Sequence, residues 1–361
     1  MKKMGLKKPS LTKLGTFKRK SVRLSQEELI KAGPLQAEKS LPLLIQATVE
    51  GLDLVTWAES NLEFIESHLL KHGAVLFRNF NMSDTHRFEQ FIHTISGELI
   101  EYRERSSPRS QVRGNIYTST EHPADQHIFL HNENSYANTW PLRIFFFCVT
   151  PAQQGGETPV ADCRSVFKRI DPNIRERFMQ KKVMYVRNFG DGLGLNWQTV
   201  FQTKDKSEVE AYCRNAGYEF EWKAGNGLRT RRVAPAIVKH PRTGEMLWFN
   251  HATFFHVSTL DPTTRKALLA QFEEEDLPNN TYYGDGSAIQ PEILAQLRQA
   301  YQQETVVFPW QKNDIMMLDN LITAHGRTPF VGERQILTGM ANPLSHEDLQ
   351  SRKKINSLIN S

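Results

Sequence analysis

From Tyr117 to Met340 the chain is a succession of short β-rich runs broken by turn residues, and this texture limits the folds open to it more than any other feature. The runs are Arg143 to Thr150, Val183 to Phe189, Tyr218 to Trp222, Arg231 to Val238, Met246 to Asn250, Val306 to Trp310, Asp314 to Leu318 and Arg334 to Met340. Helical patterns interrupt them at Ser207 to Asn215, Pro262 to Phe272 and Pro291 to Gln303, without regular alternation. A doubly wound parallel sheet needs that alternation, so the expected fold is mainly β with flanking helices, a sandwich or jelly roll. Upstream, Ser60-Asn61-Leu62-Glu63 reads as a capping box opening a helix through His72, and Gly73 then leads into a strand from Ala74 to Phe80. A second helix follows Ser83-Asp84, with Phe88, Phe91, Ile92 and Ile95 on one face. Gly190-Asp191-Gly192-Leu193-Gly194 lacks both the GxGxxG spacing and the Lys-Ser/Thr of a phosphate loop, and reads as a turn.

The 361 residues are 39% apolar, enough for a sizeable core. No run approaches the roughly 20 apolar residues of a membrane span, and no apolar signal segment opens the chain. A cytoplasmic protein with no membrane partner is expected. Cys148, Cys163 and Cys213 are too few and too far apart for a disulfide framework or a thiolate metal site, and read as reduced packing residues. The net charge of +5 could suggest nucleic acid, but it comes from residues 1–24, which carry nine Lys or Arg and no acid. The remainder holds 36 basic against 40 acidic residues. A disordered, solubilising leader explains the tail without a nucleic-acid partner, the alternative being a docking arm. The expected organisation is a basic tail over 1–24, a single catalytic domain over 25–343 and a C-terminal tail over 344–361.

The chemistry begins at Leu130-His131-Asn132-Glu133, where an imidazole and a carboxylate two residues apart project to the same side of an extended chain. His325, in Ala324-His325-Gly326-Arg327, is the natural third metal ligand. Two His and one carboxylate on one face of an iron leave three positions open, two for a keto acid and one for O2. An HxE pair alone is weak evidence, since a surface His-Glu pair recurs by chance. Support comes from residues suited to a keto acid's distal carboxylate: a guanidinium at Arg334, nine residues after His325, and a hydroxyl at Thr158 in Gly155-Gly156-Glu157-Thr158.

Taken together, the body resembles the taurine dioxygenase and clavaminate synthase-like family of Fe(II)/2-oxoglutarate oxygenases over roughly residues 40 to 343. The matching segments are Gly73 to Phe80, Tyr117-Thr118-Ser119-Thr120-Glu121, Leu130 to Tyr136, Gly155 to Pro159, Asp319-Asn320, His325-Gly326-Arg327 and Phe330 to Arg334, in order and with matching separations. The resemblance implies a distorted double-stranded β-helix (jelly roll), with His131, Glu133 and His325 as iron ligands. It implies Thr158 and Arg334 as holders of the cosubstrate 2-oxoglutarate. Two departures stand: the carboxylate is Glu133 where most of the wider family has Asp, though the clavaminate synthase-like branch also uses Glu. The gap from His325 to Arg334 is also shorter than in many relatives, which keeps Arg327 as a fallback for the cosubstrate salt bridge. Family halogenases lack the carboxylate ligand, and Glu133 fills its place here, so hydroxylation is expected.

The resemblance is strongest to the branch that hydroxylates amino acids for nonribosomal peptides and related metabolites. An amino-acid-like small-molecule substrate is expected, free or tethered to an acyl or peptidyl carrier protein, the basic tail being one candidate docking element. Arg103, Glu121, Asn134, Ser135 and Asn250 are candidate substrate contacts, and Arg105 and Arg109 lie in the same charged segment as Arg103. Trp248 to His251 and Phe254-Phe255-His256 combine aromatics with polar groups and could form a substrate-facing loop or offer alternative ligands, the plainer reading being core packing with two satisfied histidines. The alternatives are a taurine-like sulfonate dioxygenase and a jelly-roll metal-binding protein without redox chemistry, which would have no use for Thr158 and Arg334.

Overall fold

The computed structural model describes residues 26–102, 104, 109–190 and 194–351. The basic tail, Arg103, Arg105 and the centre of the glycine-rich turn lie outside them. Along the chain come β1 (Ile30–Gln36), β2 (Lys39–Ala47), β3 (Ala74–Arg78), β4 (Gln111–Arg113), β5 (Ile116–Thr118), β6 (Ile128–His131), β7 (Thr139–Thr150), β8 (Gln154–Gly155) and β9 (Val160–Asp162). After them come β10 (Val183–Phe189), β11 (Glu219–Trp222), β12 (Leu228–Ala234), β13 (Ile237–Lys239), β14 (Met246–Trp248) and β15 (Asn279–Tyr283). The last four are β16 (Ile315–Asp319), β17 (Thr323–Arg327), β18 (Phe330–Val331) and β19 (Gln335–Ser345).

Eight strands form the large sheet, in the order β1-β2-β3-β16-β7-β19-β5-β4, while β6-β17-β9 form a three-stranded sheet and β18-β8 a separate pair. This is a jelly roll. The central strands of the large sheet are buried on both faces, and their side chains divide with a period of two. Phe145, Phe147, Ile315, Met317, Val75 and Phe77 face a core shared with the helices Leu54–Glu59, Leu62–His72 and Thr85–Ser96. Their neighbours Ile144, Phe146, Cys148, Met316, Leu318 and Leu76 face inward, sharing a second core with Val160 of β9. A strand with two apolar faces must read as a continuous apolar run, which is why Ile144 to Val149 carries no polar residue. The β11-β12-β10-β15 sheet and the β13-β14 pair lie between the two halves of the jelly roll in sequence and help to build a third core around Trp140, Phe178 and Trp248.

Several expectations change at their edges. Ser60 does not cap the Leu62–His72 helix: Ser60 ends the preceding helix, and Asn61 takes the N-cap position with its side chain donating to the Trp57 carbonyl at 2.6 Å. The Arg231 to Val238 run divides into β12 and β13 around Pro235, which has no N–H to give a ladder. Val306 to Trp310 makes one bridge, Val160 to Val306, rather than a strand. Pro309 interrupts its donors, and Phe308 and Trp310 go into the inner core. The C-terminal tail assigned from residue 344 starts too early. β19 runs to Ser345, and Ser345 and Asp348 form a capping box on the helix His346–Gln350. Leu344 is buried, and the His346 ring lies 4.6 Å from Trp140. Pro343, which looks like a terminator, is tolerated because β5 pairs only with Leu337 to Gly339, leaving that side of β19 open. Among the described residues no helix is long and apolar enough to cross a membrane.

Candidate metal centre

β6 and β17 run antiparallel with His131 directly opposite His325, so the pairing register delivers two imidazoles to one place. Their ring centroids are 4.6 Å apart. Glu133 lies two residues beyond His131, just past the strand, and its Oε2 is 4.0 Å from His131 Nε2 and 3.7 Å from His325 Nε2. One donor atom from each residue falls within 4.8 Å of the other two, and Glu133 and His325 are buried. His131 Nδ1 faces the Phe129 carbonyl at 2.9 Å, which assigns its proton to Nδ1 and leaves the Nε2 lone pair facing Glu133. Burial, with His325 close by, pushes the His131 imidazole down to about 3, so it stays neutral as a metal ligand must. Burial acting alone would raise the Glu133 carboxyl, but the Arg109 guanidinium and the two histidines hold it well below the usual range. Phe254 stacks on His131 with centroids 4.4 Å apart, and Phe146 lies 5.2 Å from His325, so apolar surface covers the imidazoles.

Glu133 is held by a buried asparagine. Asn320 Oδ1 accepts from the Glu133 N–H at 2.8 Å, and its Nδ2 donates to the Glu133 carbonyl at 2.9 Å and the Pro141 carbonyl at 2.8 Å. Asn132 donates to the Asn320 carbonyl at 2.7 Å, locking the ligand segment to the turn before β17. That turn is pinned by Asp319, which accepts from the N–H groups of Leu321 and Ile322 and pairs with buried Arg143. Asn320→Ala leaves three buried backbone groups without partners, each costing about 1–3 kcal/mol. It is expected to lower the melting temperature by roughly 4 °C or more and to weaken divalent-metal binding about 10- to 100-fold. A melt and a Co(II) titration check this, and unchanged Co(II) affinity would remove Asn320 from the support of the site.

A cavity of about 750 Å³ opens over the two histidines, and Thr158 and Arg334 line it too. Arg334 donates from Nε to the Gly156 carbonyl at 2.8 Å and from Nη1 to Ser119 Oγ at 3.3 Å. Burial, reinforced by nearby Arg327, pushes it down to about 10. Among the described residues no carboxylate forms an ion pair with it, so an anion is what this buried cation lacks. Thr158 Oγ accepts from Trp310 Nε1 at 3.1 Å, leaving its own hydrogen to donate. Gly156 is needed here: it has φ of 71°, and a Cβ would come within 2.9 Å of Arg334 Cδ. Arg327 is engaged elsewhere, donating to the carbonyls of His122 and Gln126, each at 2.8 Å, and of Pro123, so it ties down the 122–126 loop. The two imidazoles, the buried carboxylate and the unmatched guanidinium suit iron(II) with a keto acid.

The expected substrate contacts fare differently. Glu121 is exposed and bonded to Ser110, Asn134 accepts from the Tyr136 hydroxyl at 3.2 Å, and Ser135 bonds His251 Nδ1. Asn250 spends both ends of its amide on backbone, the Ala236 carbonyl at 2.8 Å and the Ala252 N–H at 2.9 Å. None of these four lines the cavity, and Arg103 lies outside the described residues. The walls come instead from Arg109, His122, His127 and the segment from Phe254 to Leu268. The core-packing reading of these segments is therefore half right: Trp248 and Phe249 are core, Phe255 belongs to the same core but also lines the cavity, and Phe254 and His256 line the cavity as well. The signal for that wall was three aromatic rings in a row followed by an amphipathic helix, which packing accounts for equally well.

Residues 36–341 match the family described as taurine catabolism dioxygenase TauD, TfdA family. The chain is 38% identical over 301 residues to the dapdiamide synthesis protein DdaC of Enterobacter agglomerans, covering 81% of this chain and 92% of that one. It is 27% identical to a clavaminate synthase-like protein of Arabidopsis thaliana, covering 83% and 88%. The crystal structure of the PvcB protein from Pseudomonas aeruginosa superposes with a TM-score of 0.53 at 17% identity, covering 88% of this chain and 92% of that one, which bears on the fold. The chain belongs to the TauD/TfdA dioxygenase family. It is an oxygenase that depends on Fe(II), 2-oxoglutarate and O2 and acts on a small molecule.

Proposed function

We propose that His131, Glu133 and His325 hold the iron, that Thr158 and Arg334 hold the distal carboxylate of 2-oxoglutarate, and that the enzyme hydroxylates an unactivated C–H bond of an amino-acid-like substrate in specialised metabolite biosynthesis. The carrying observation is Arg334, a buried guanidinium without a carboxylate partner among the described residues, in the same cavity as the two imidazoles. When bound, iron and keto acid supply the oxidation: 2-oxoglutarate loses CO2 and becomes succinate with one atom of O2, and the other atom enters the substrate C–H bond. The chain's own residues do the positioning. Arg334 and Thr158 fix the far end of the keto acid by charge-assisted hydrogen bonds, and His131, Glu133 and His325 would hold the metal in the same cavity. Phe254, stacked on His131, shields that imidazole from water. Similarity to a dapdiamide synthesis protein supports the substrate class, and a free or carrier-tethered amino acid fits it equally. A non-redox metal protein has no need of Arg334, and a sulfonate substrate is the remaining alternative.

Adding 2-oxoglutarate to the iron(II) protein without air is expected to produce a weak visible charge-transfer band, and no band from folded protein would sink the assignment. Succinate release with free amino acids, aminoacyl carrier proteins and sulfonates then sorts the substrates, and turnover of sulfonates alone overturns the substrate class.

A further inference from the structure

We propose that Arg109 is the anchor for a free carboxylate on the substrate, a reading that rests on His131, Glu133 and His325 being the metal ligands. Three guanidinium groups line the cavity: Arg109, Arg327 and Arg334. Arg327 commits both terminal nitrogens to loop carbonyls, with only its Nε unpartnered among the described residues, and Arg334 faces the keto-acid end, which leaves Arg109. Its side chain is 7% exposed, and Nη2 donates to Glu133 Oε2 at 2.9 Å. That is the same oxygen that approaches both histidine Nε2 atoms. A divalent ion held by the three ligands and a guanidinium held by the same carboxylate oxygen repel one another, so metal loading loosens Arg109 from Glu133. The freed group does not reach water. Its Nε is already buried without a hydrogen-bond partner among the described residues, and its guanidinium lies 4.3 Å over the Tyr102 ring, whose face holds a cation in place.

A buried guanidinium with unmet donors beside a metal calls for a planar, bidentate anion, and a carboxylate is the match. The keto acid's distal carboxylate is accounted for at Arg334, so the substrate supplies this one. Of the two substrate forms, the free amino acid carries its α-carboxylate, whereas a carrier thioester has spent it. Arg109 has a second use before metal arrives, since it neutralises Glu133, which would otherwise be a lone buried carboxylate.

The test uses the iron(II) protein with 2-oxoglutarate and no air, reading the visible band as common α-amino acids and their carboxamides are added. At least one free amino acid is expected to shift the band, with its carboxamide binding far more weakly. Arg109→Gln is expected to weaken the amino acid about 100-fold, the scale of a lost charge-assisted pair, and Arg109→Lys by less, with 2-oxoglutarate affinity unchanged in both. Arg109→Gln should also tighten Co(II) binding, because a competing cation has gone. Equal binding of acid and carboxamide, an unchanged amino acid affinity in Arg109→Gln, or unchanged or weaker Co(II) binding each overturns the proposal. A band that only aminoacyl carrier protein shifts, or that no amino acid shifts, overturns it as well. A wild-type protein that forms no band with 2-oxoglutarate fails one step earlier, at the metal assignment.

Discussion

His131→Ala and His325→Ala are each expected to reduce succinate release to background while the protein stays folded. Each substitution removes one of three donors, a heavier loss than that of a supporting contact, which itself lowers metal affinity or activity about 10- to 100-fold. The fold loses little, because the rings sit at a cavity wall rather than deep in one of the cores. Glu133→Ala is expected to stop hydroxylation equally but to behave differently in a melt. It leaves Arg109 as a buried cation without its carboxylate, and breaking a buried pair costs about 3–5 kcal/mol. In a chain of 361 residues that is roughly 4–7 °C of melting temperature. The order expected in thermal unfolding is therefore wild type, then the two histidine variants, then Glu133→Ala, with Co(II) binding lost in all three. Turnover retained by a purified histidine variant removes that residue from the triad.

The contrast between His131, Glu133 and Arg109 also shows what one-dimensional reading reaches. His131 and Glu133 were legible because a period of two puts both on one side of an extended chain, and His325 because it follows a strand-like run and the Asp319-Asn320 turn and precedes an arginine. Thr158 and Arg334 came with them, and the cavity brings all but the carboxylate into one wall. Arg109 stood out only as one member of a charged segment where an anionic substrate could be clamped, and such a segment is usually a solvated loop. Its role depends on a contact across 24 residues of sequence with Glu133. Asn320 was visible only as part of a motif. Its work is three hydrogen bonds to backbone 179 and 187 residues away, which no spacing rule encodes.

The fold divides along the same line. β7 and β10 carry their identity in their own apolar runs, and β10 occupies the expected residues, Val183–Phe189. β1 and β2 were missed because Pro34 and Pro42 break the donor pattern that marks a strand; β1 lies at the sheet edge, where a missing donor is tolerated. The substrate wall was illegible for a different reason. Glu121, Asn134, Ser135 and Asn250 flank the ligands in sequence or carry polar groups, yet local hydrogen bonds turn Asn134, Ser135 and Asn250 toward the scaffold. The cavity wall comes in large part from the 254–268 segment, more than 120 positions from the HxE motif.

Arg334→Ala is expected to raise the dissociation constant for 2-oxoglutarate by roughly 30- to 800-fold, because a charge-assisted pair in a partly desolvated cavity is worth about 2–4 kcal/mol. Its effect on stability should be small or even favourable. Burial already depresses this guanidinium, and among the described residues no carboxylate compensates it, so removing it relieves a desolvated charge at the cost of two hydrogen bonds. Arg334→Lys should fall between the two, keeping the charge but losing the planar fork. Arg327→Ala is the control, since the two arginines lie on the same cavity wall and differ in what they hold. Losing Arg327 frees the carbonyls of His122, Pro123 and Gln126, which should lower the melting temperature and loosen the 122–126 loop without a selective loss of 2-oxoglutarate affinity. Titrating the visible band of the iron(II) protein with 2-oxoglutarate separates these outcomes. If Arg327→Ala carries the hundredfold loss and Arg334→Ala does not, the cosubstrate salt bridge belongs to Arg327, and the keto acid must lie along the loop side of the cavity rather than against Thr158.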